Sequence, residues 1–106
     1  MAREKFQTLT EQMFYILLCL RQEQSGTDIM ARVSELTQGR ISVGPGTLYN
    51  LLESFLSAGM IWETKVEGRK RSYLITETGQ KALEDEYRRL RTLAADYEAL
   101  TGGAHT

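Results

Sequence analysis

Two groups of side chains in this chain suit one kind of chemistry, the noncovalent reading of a nucleic-acid duplex. Thr47, Tyr49 and Asn50 follow Val43-Gly44-Pro45-Gly46, and Arg69, Lys70 and Arg71 form a short basic run further on. Asparagine carries a donor and an acceptor side by side and can pair with adenine. Hydroxyls such as those of Ser42, Thr47 and Tyr49 can bond phosphate oxygens. The three cations can neutralise phosphates or enter a minor groove. Gly44 and Gly46 leave the backbone free to turn tightly around Pro45, and both are counted with the DNA-facing residues. Tyr49 has a second reading, as a ring packed beneath its own helix. Double-stranded DNA is the partner this set fits.

Catalytic chemistry finds no comparable set. His105 is the only histidine and is the penultimate residue, so no histidine-based triad or metal cluster is expected. Cys19 is the only cysteine and lies within the apolar run Phe14 to Leu20, where it reads as a small core residue in a reducing compartment. The consecutive acids Glu84, Asp85 and Glu86 fan around a helix rather than converge. The Gly44-Pro45-Gly46 segment lacks the length and the lysine of a phosphate-cradling loop. No enzyme, metal or cofactor is implied.

The elements that must hold the recognition residues can be read from periodicity. Thr8 and Glu11 have capping-box spacing ahead of a mostly apolar helix that should end near Gln24. Ser25 with Asp28 opens a second helix to about Leu36, and Ile29, Val33 and Leu36 form its core face. Thr37-Gln38-Gly39 breaks the chain, and Arg40 to Val43 alternates like a short extended piece. Pro45 suits the first position of a third helix, whose stripe is Leu48, Leu51, Leu52, Phe55 and Leu56 and whose stop is Gly59. Ile61–Val66 and Ser72–Ile75 read as two strands, with Glu67 to Lys70 as the turn. Trp62 reads as packing at the base of this hairpin, with an effector-site aromatic as the alternative. A last helix from Thr76 or Glu77 to about Leu100 carries Leu83, Tyr87, Leu90, Ala94 and Tyr97 at spacings of four and three, a seam of the coiled-coil type.

The 106 residues suit one domain, and 42% apolar content can fill its core. A net charge of −1 is low for a DNA-binding surface, but its distribution is uneven. Glu63 to Ile75 holds four bases and two acids, and Thr76 to Thr101 holds four bases and six acids. No apolar run approaches the roughly 18 residues of a membrane span, and no signal peptide precedes Thr8, so a soluble cytoplasmic protein is expected.

In the order and spacing of these motifs the chain resembles the PadR family of bacterial transcriptional regulators, in its short subgroup with a single C-terminal helix. The resemblance runs from about Leu9 to Leu90. It rests most on Val43-Gly44-Pro45-Gly46-Thr47-Leu48-Tyr49, with support from Gly26-Thr27-Asp28-Ile29, Gly59-Met60-Ile61 and Arg69 through Gly79. Gln12 and Thr27 replace the proline and tyrosine of many members. Leu90, with Tyr87 and Tyr97 nearby, occupies the region where drug-binding members place a large aromatic.

The resemblance implies a mainly α fold with a small β-hairpin. This is a winged helix-turn-helix DNA-binding domain over residues 1–76, with a C-terminal dimerisation helix over 77–101 in the same compact unit and a disordered tail over 102–106. It implies a repressor that binds a pseudo-palindromic operator as a homodimer and is released by a small-molecule effector. The competing reading is an effector- or protein-interaction module on the same scaffold, favoured by the low net charge.

Overall fold

The computed structural model describes residues 8–103, so expectations for residues 1–7, 104–106 and His105 lie outside the described residues. The chain runs α1 (Glu11–Cys19), β1 (Gln24–Ser25), α2 (Gly26–Leu36), α3 (Pro45–Ser57), β2 (Ile61–Glu67), β3 (Lys70–Ile75) and α4 (Glu77–Thr101). Three helices and an antiparallel sheet of order β1-β3-β2 make a winged helix-turn-helix, and α4 extends from it.

Helix α1 is capped by Thr10, whose hydroxyl accepts the Met13 amide, and not by Thr8. It ends at Cys19, five residues before the expected stop, because the chain turns to deliver β1 to the sheet. There the Ile75 amide donates to the Leu20 carbonyl at 2.7 Å. The two-residue strand β1 was not visible as periodicity and pairs Gln24 with Tyr73. Ser25 caps α2 as its spacing implies, accepting the Asp28 amide at 3.3 Å.

The core gathers Ile16, Leu17 and Leu20 of α1 and its C-cap, Ile29 and Val33 of α2, and Leu48, Leu52 and Phe55 of α3, all at most 1% exposed. Burial on this scale is the main source of stability for so small a chain. Leu36 and Leu56, expected on core faces, are 46% and 37% exposed. Leu36 ends its helix just before the chain reverses, and Leu56 stands at the margin of the α3 stripe.

Residues 40–43 form no strand. The segment is tied down by side chains instead. The Thr37 hydroxyl donates to the Val33 carbonyl at 2.8 Å and accepts the Ile41 amide at 3.0 Å. Gln38 and Gly39 take left-handed φ values of 54° and 81° to reverse the chain.

The hairpin turns at Glu67 to Lys70 as expected, with its strands running further toward the tip. Glu67 pairs with Lys70, leaving Gly68 and Arg69 as a two-residue loop, and Gly68 supplies the positive φ of 63°. A bulge between Glu63 and Lys65 leaves Thr64 without a cross-strand partner.

Helix α4 is rooted by close approach. Thr76 caps it, accepting the Gly79 amide at 3.1 Å and donating to the Gly59 carbonyl at 2.6 Å. A Cβ on Gly79 would stand 2.1 Å from the Met60 carbonyl oxygen, so the helix can cross there only without a side chain. Ala82, Leu83 and Glu86 are buried, and every residue from Tyr87 to Thr101 is exposed. Gly102 closes the helix at φ 73°. Among the described residues no helix is long and apolar enough to cross a membrane.

Candidate nucleic-acid interface

Helix α3 presents its core stripe inward and a polar face outward. Gly46, Thr47, Asn50, Glu53 and Ser57 are exposed on that face, and Tyr49 stands at its flank, 47% exposed. The N-terminus of α3 has no side-chain cap, since Gly44 is the N-cap residue and Pro45 has no amide hydrogen. The amides of Gly46 and Thr47 therefore face outward at the positive end of the helix dipole, where a phosphate is stabilised.

Gly44 takes an ordinary extended φ of −78°, so the tight turn expected of it is not made. A Cβ on Gly44 or Gly46 would meet nothing within 4 Å. The fold does not need either glycine for its own packing, and both leave bare backbone at the surface.

The lead-in to α3 is positioned by α1. The Gln12 amide donates to the Ser42 carbonyl at 3.2 Å, and the Arg40 guanidinium donates to Glu11 at 3.0 Å and to the Tyr15 hydroxyl at 3.1 Å. The Glu11 hydrogen bond, then that of Tyr15, raises the Arg40 pKa, which leaves its cationic form more strongly held. Ser42 itself is exposed beside these contacts.

The wing tip stands beside the start of α2. Arg69, Lys70 and Arg71 share an open cleft of about 300 Å³ with Ser25, Gly26, Thr27 and Tyr49. Tyr49 resolves its two readings by doing part of each. Its ring lies against Gly26, where an added Cβ would come within 2.5 Å of the hydroxyl oxygen, and the ring remains half exposed toward the wing. The cations are not equivalent. Arg71 donates to Glu63 across the hairpin at 2.8 Å, and that hydrogen bond raises its pKa. Lys65 lies 3.8 Å from Glu67. Beneath them the buried Tyr73 holds the wing to the core, and desolvation, then the Glu63 charge, raises its phenol pKa.

Trp62 does not pack as expected. It is 54% exposed on the outer face of the hairpin, opposite Leu74, because the buried positions of β2 and β3 fall to Ile61 and Tyr73.

The seam residues of α4 divide into two groups. Leu83 is 4% exposed and belongs to the core of its own chain. Tyr87, Leu90, Ala94 and Tyr97 are exposed, as are Leu93 and Leu100. The last two were missed by sequence reading, although Leu90, Leu93, Tyr97 and Leu100 repeat the same spacing of three and four. At the base of this segment Glu86 is buried, accepting the Leu9 amide at 3.2 Å and the Arg89 Nε–H at 3.1 Å. The Arg89 bond outweighs burial and holds its carboxyl below the usual range.

A larger groove of about 540 Å³ lies between α1, α2 and the start of α4, lined by residues including Leu18, Arg21, Arg32 and Gln80. It contains none of the recognition residues. A duplex is met by a protruding helix and wing, so cavity size does not locate this interface.

Comparison with known proteins agrees with the geometry. The family described as "Transcriptional regulator PadR-like family" matches residues 16–85. Transcriptional regulator YqjI of Escherichia coli is 27% identical over 84 residues, which are 79% of this chain and 41% of that protein. The chain thus spans about two fifths of the length of the curated relatives it matches. The crystal structure of Bacillus subtilis PadR in complex with operator DNA superposes with a TM-score of 0.64 at 26% identity, covering 74% of this chain and 47% of that one. A PadR family regulator from Eggerthella lenta gives a TM-score of 0.73 at 19% identity, covering 87% and 82%. That last likeness shows the fold.

Proposed function

This chain belongs to the PadR-like family of transcriptional regulators, and we propose that it represses transcription as a homodimer on a pseudo-palindromic operator. The observation that carries the reading is the uncapped, exposed N-terminus of α3, with Thr47 and Asn50 on its outward face and the basic wing tip close by. Thr47 and Asn50 contact base edges in the major groove. Ser42, the bare backbone at Gly44 and Gly46, and the Tyr49 hydroxyl contact phosphates. Arg69 and Lys70 follow the adjacent minor groove or backbone. Arg71 contributes as far as its bond to Glu63 permits.

The exposed run from Tyr87 to Thr101 supports dimerisation. A helical stretch this short, with Tyr87, Leu90, Leu93 and Tyr97 facing water, is marginal unless a second copy covers it. Two-fold symmetry then sets half-sites about 10 base pairs apart, or a multiple of that. Release follows when an effector changes the spacing of the two recognition helices. The bare chemistry of the sites supports no catalytic role.

Selection of binders from a random duplex library, with affinities measured at several salt concentrations, tests the reading. A two-fold-symmetric site bound with a steep negative salt slope is expected. Absence of any enriched sequence would instead favour a protein-interaction module on the same fold.

A further inference from the structure

Helix α3, from Pro45 to Ser57, contains a single charged residue, and it is an acid, Glu53. Within the DNA reading proposed above, we infer that Glu53 is a specificity-determining residue that reads a cytosine in each half-site.

Glu53 lies one helical turn after Asn50 and one before Ser57, so the three share the face opposite Leu48, Leu52 and Phe55. It is exposed, and among the described residues no hydrogen bond or salt bridge holds its carboxylate. The wing cation Arg71 is already bonded to Glu63. Glu53 is thus an exposed acceptor without a hydrogen-bond partner among the described residues, its charge contributing within the fold to the raised pKa of the Tyr73 phenol, and it stands on the outward face of α3 that would enter the groove.

A carboxylate carried toward phosphates is repelled unless a donor meets it. In the major groove the donors are the amino groups of cytosine and adenine, whereas guanine and thymine present acceptors. Adenine places its N7 acceptor beside the amino group, and a second acceptor facing it is unfavourable. Cytosine offers its amino group with a C5–H, and no ring acceptor, on its own outer side, so the only acceptor beside it is the O6 of the paired guanine. The carboxylate therefore favours cytosine, and it penalises every site lacking one because the charge then goes unpaired. Asn50 and Glu53 are about 4.5 Å apart along the helix axis. The cytosine is accordingly expected one or two base pairs from the base that Asn50 reads.

The test compares wild type, Glu53→Gln and Glu53→Ala in parallel selections from one random duplex library. Because residue 53 is exposed, all three should melt at similar temperatures, which is checked first. Wild type should enrich a half-site with a C·G pair at one position. Glu53→Gln should change that position to adenine, since glutamine pairs with the adenine edge. Glu53→Ala should lose preference there while keeping the rest of the site. On duplexes differing only at that pair, wild-type discrimination of about five- to a hundredfold should fall to near unity in Glu53→Ala. Identical enriched sites for all three proteins would overturn the role of Glu53 and leave DNA binding intact. Failure of wild type to enrich any site would overturn the DNA reading and this inference together.

Discussion

Replacing Gly79 by alanine tests whether α4 is rooted as described, and the expected effect can be worked from two opposing contributions. Alanine is favoured over glycine by about 0.8–1.0 kcal/mol in a helix interior, which is an upper bound for Gly79 in the first turn of α4 and alone would stabilise the chain. Against this, the new Cβ would stand 2.1 Å from the Met60 carbonyl oxygen and 2.8 Å from Ile75 Cγ1, when real Cβ atoms essentially never approach within 3.0 Å. The obstacle is backbone and is itself engaged, since Met60 O accepts the Thr76 amide at 3.0 Å. It cannot swing aside without loosening the junction between α4 and the sheet. Overpacking of this kind typically costs about 1–3 kcal/mol and sometimes more, so with a backbone obstacle the upper part of that range applies. The net result should be a destabilisation of roughly 1–2 kcal/mol, or a fall in melting temperature of several degrees. Gly46→Ala is the matched control, because a Cβ there meets nothing within 4 Å, and its stability should be unchanged or slightly raised. Urea unfolding followed by circular dichroism, at one fixed protein concentration, measures both. A Gly79→Ala variant as stable as wild type would refute the seating of α4 on the Met60 carbonyl.

Neutralising Arg69 and Lys70 to alanine should weaken binding to all duplexes alike and flatten the plot of log affinity against log salt by about one to two units, measured by fluorescence anisotropy. Leu93→Glu should give a folded monomer by sedimentation, because Leu93 is 52% exposed in the single chain. A persistent dimer would exclude this face. Truncation for the same purpose must come after Arg89, since Ala82, Leu83 and Glu86 are part of the folded core. Glu86→Gln should destabilise by about 1–2 kcal/mol at neutral pH, through loss of charge-assisted bonds to Arg89 and Leu9. The folded pKa of Glu86 is depressed, so its contribution is fully present above the usual carboxylate range and is lost as pH falls through the lower, folded value. The stability gap between the two proteins, followed by melting from pH 7 to pH 3, should therefore close on the acid side.

The sequence was most legible where local chemistry and tertiary need agree. Ser25 and Asp28, Pro45 at the start of α3, Gly59 after it, and Thr76 before α4 mark their boundaries with caps and breakers that act within a few residues. It was least legible where a distant partner decides. The α1 stop at Cys19 and the strand β1 are set by pairing with β3, some fifty residues away. Residues 40–43 alternate as a strand would, but Gln12, Glu11 and Tyr15 hold the segment as a loop. Leu83 and Leu90 fall on one periodic stripe, and only the packing of α4 against the body separates the buried one from the exposed one. Glu53 carries no signal in the sequence alone, because a lone acid in a helix ordinarily marks a solvated face. Its significance comes from the face it shares with Asn50.

The central claim is that the outward face of α3 and the wing tip bind duplex DNA. Amide chemical-shift mapping of the protein, titrated with a duplex recovered by selection, tests it most directly. The account predicts shifts concentrated in residues 42–53 and 68–71 on adding DNA, with α4 beyond Tyr87 unchanged. Shifts confined to α4 or to the groove between α1 and α2, with α3 and the wing silent, would contradict it.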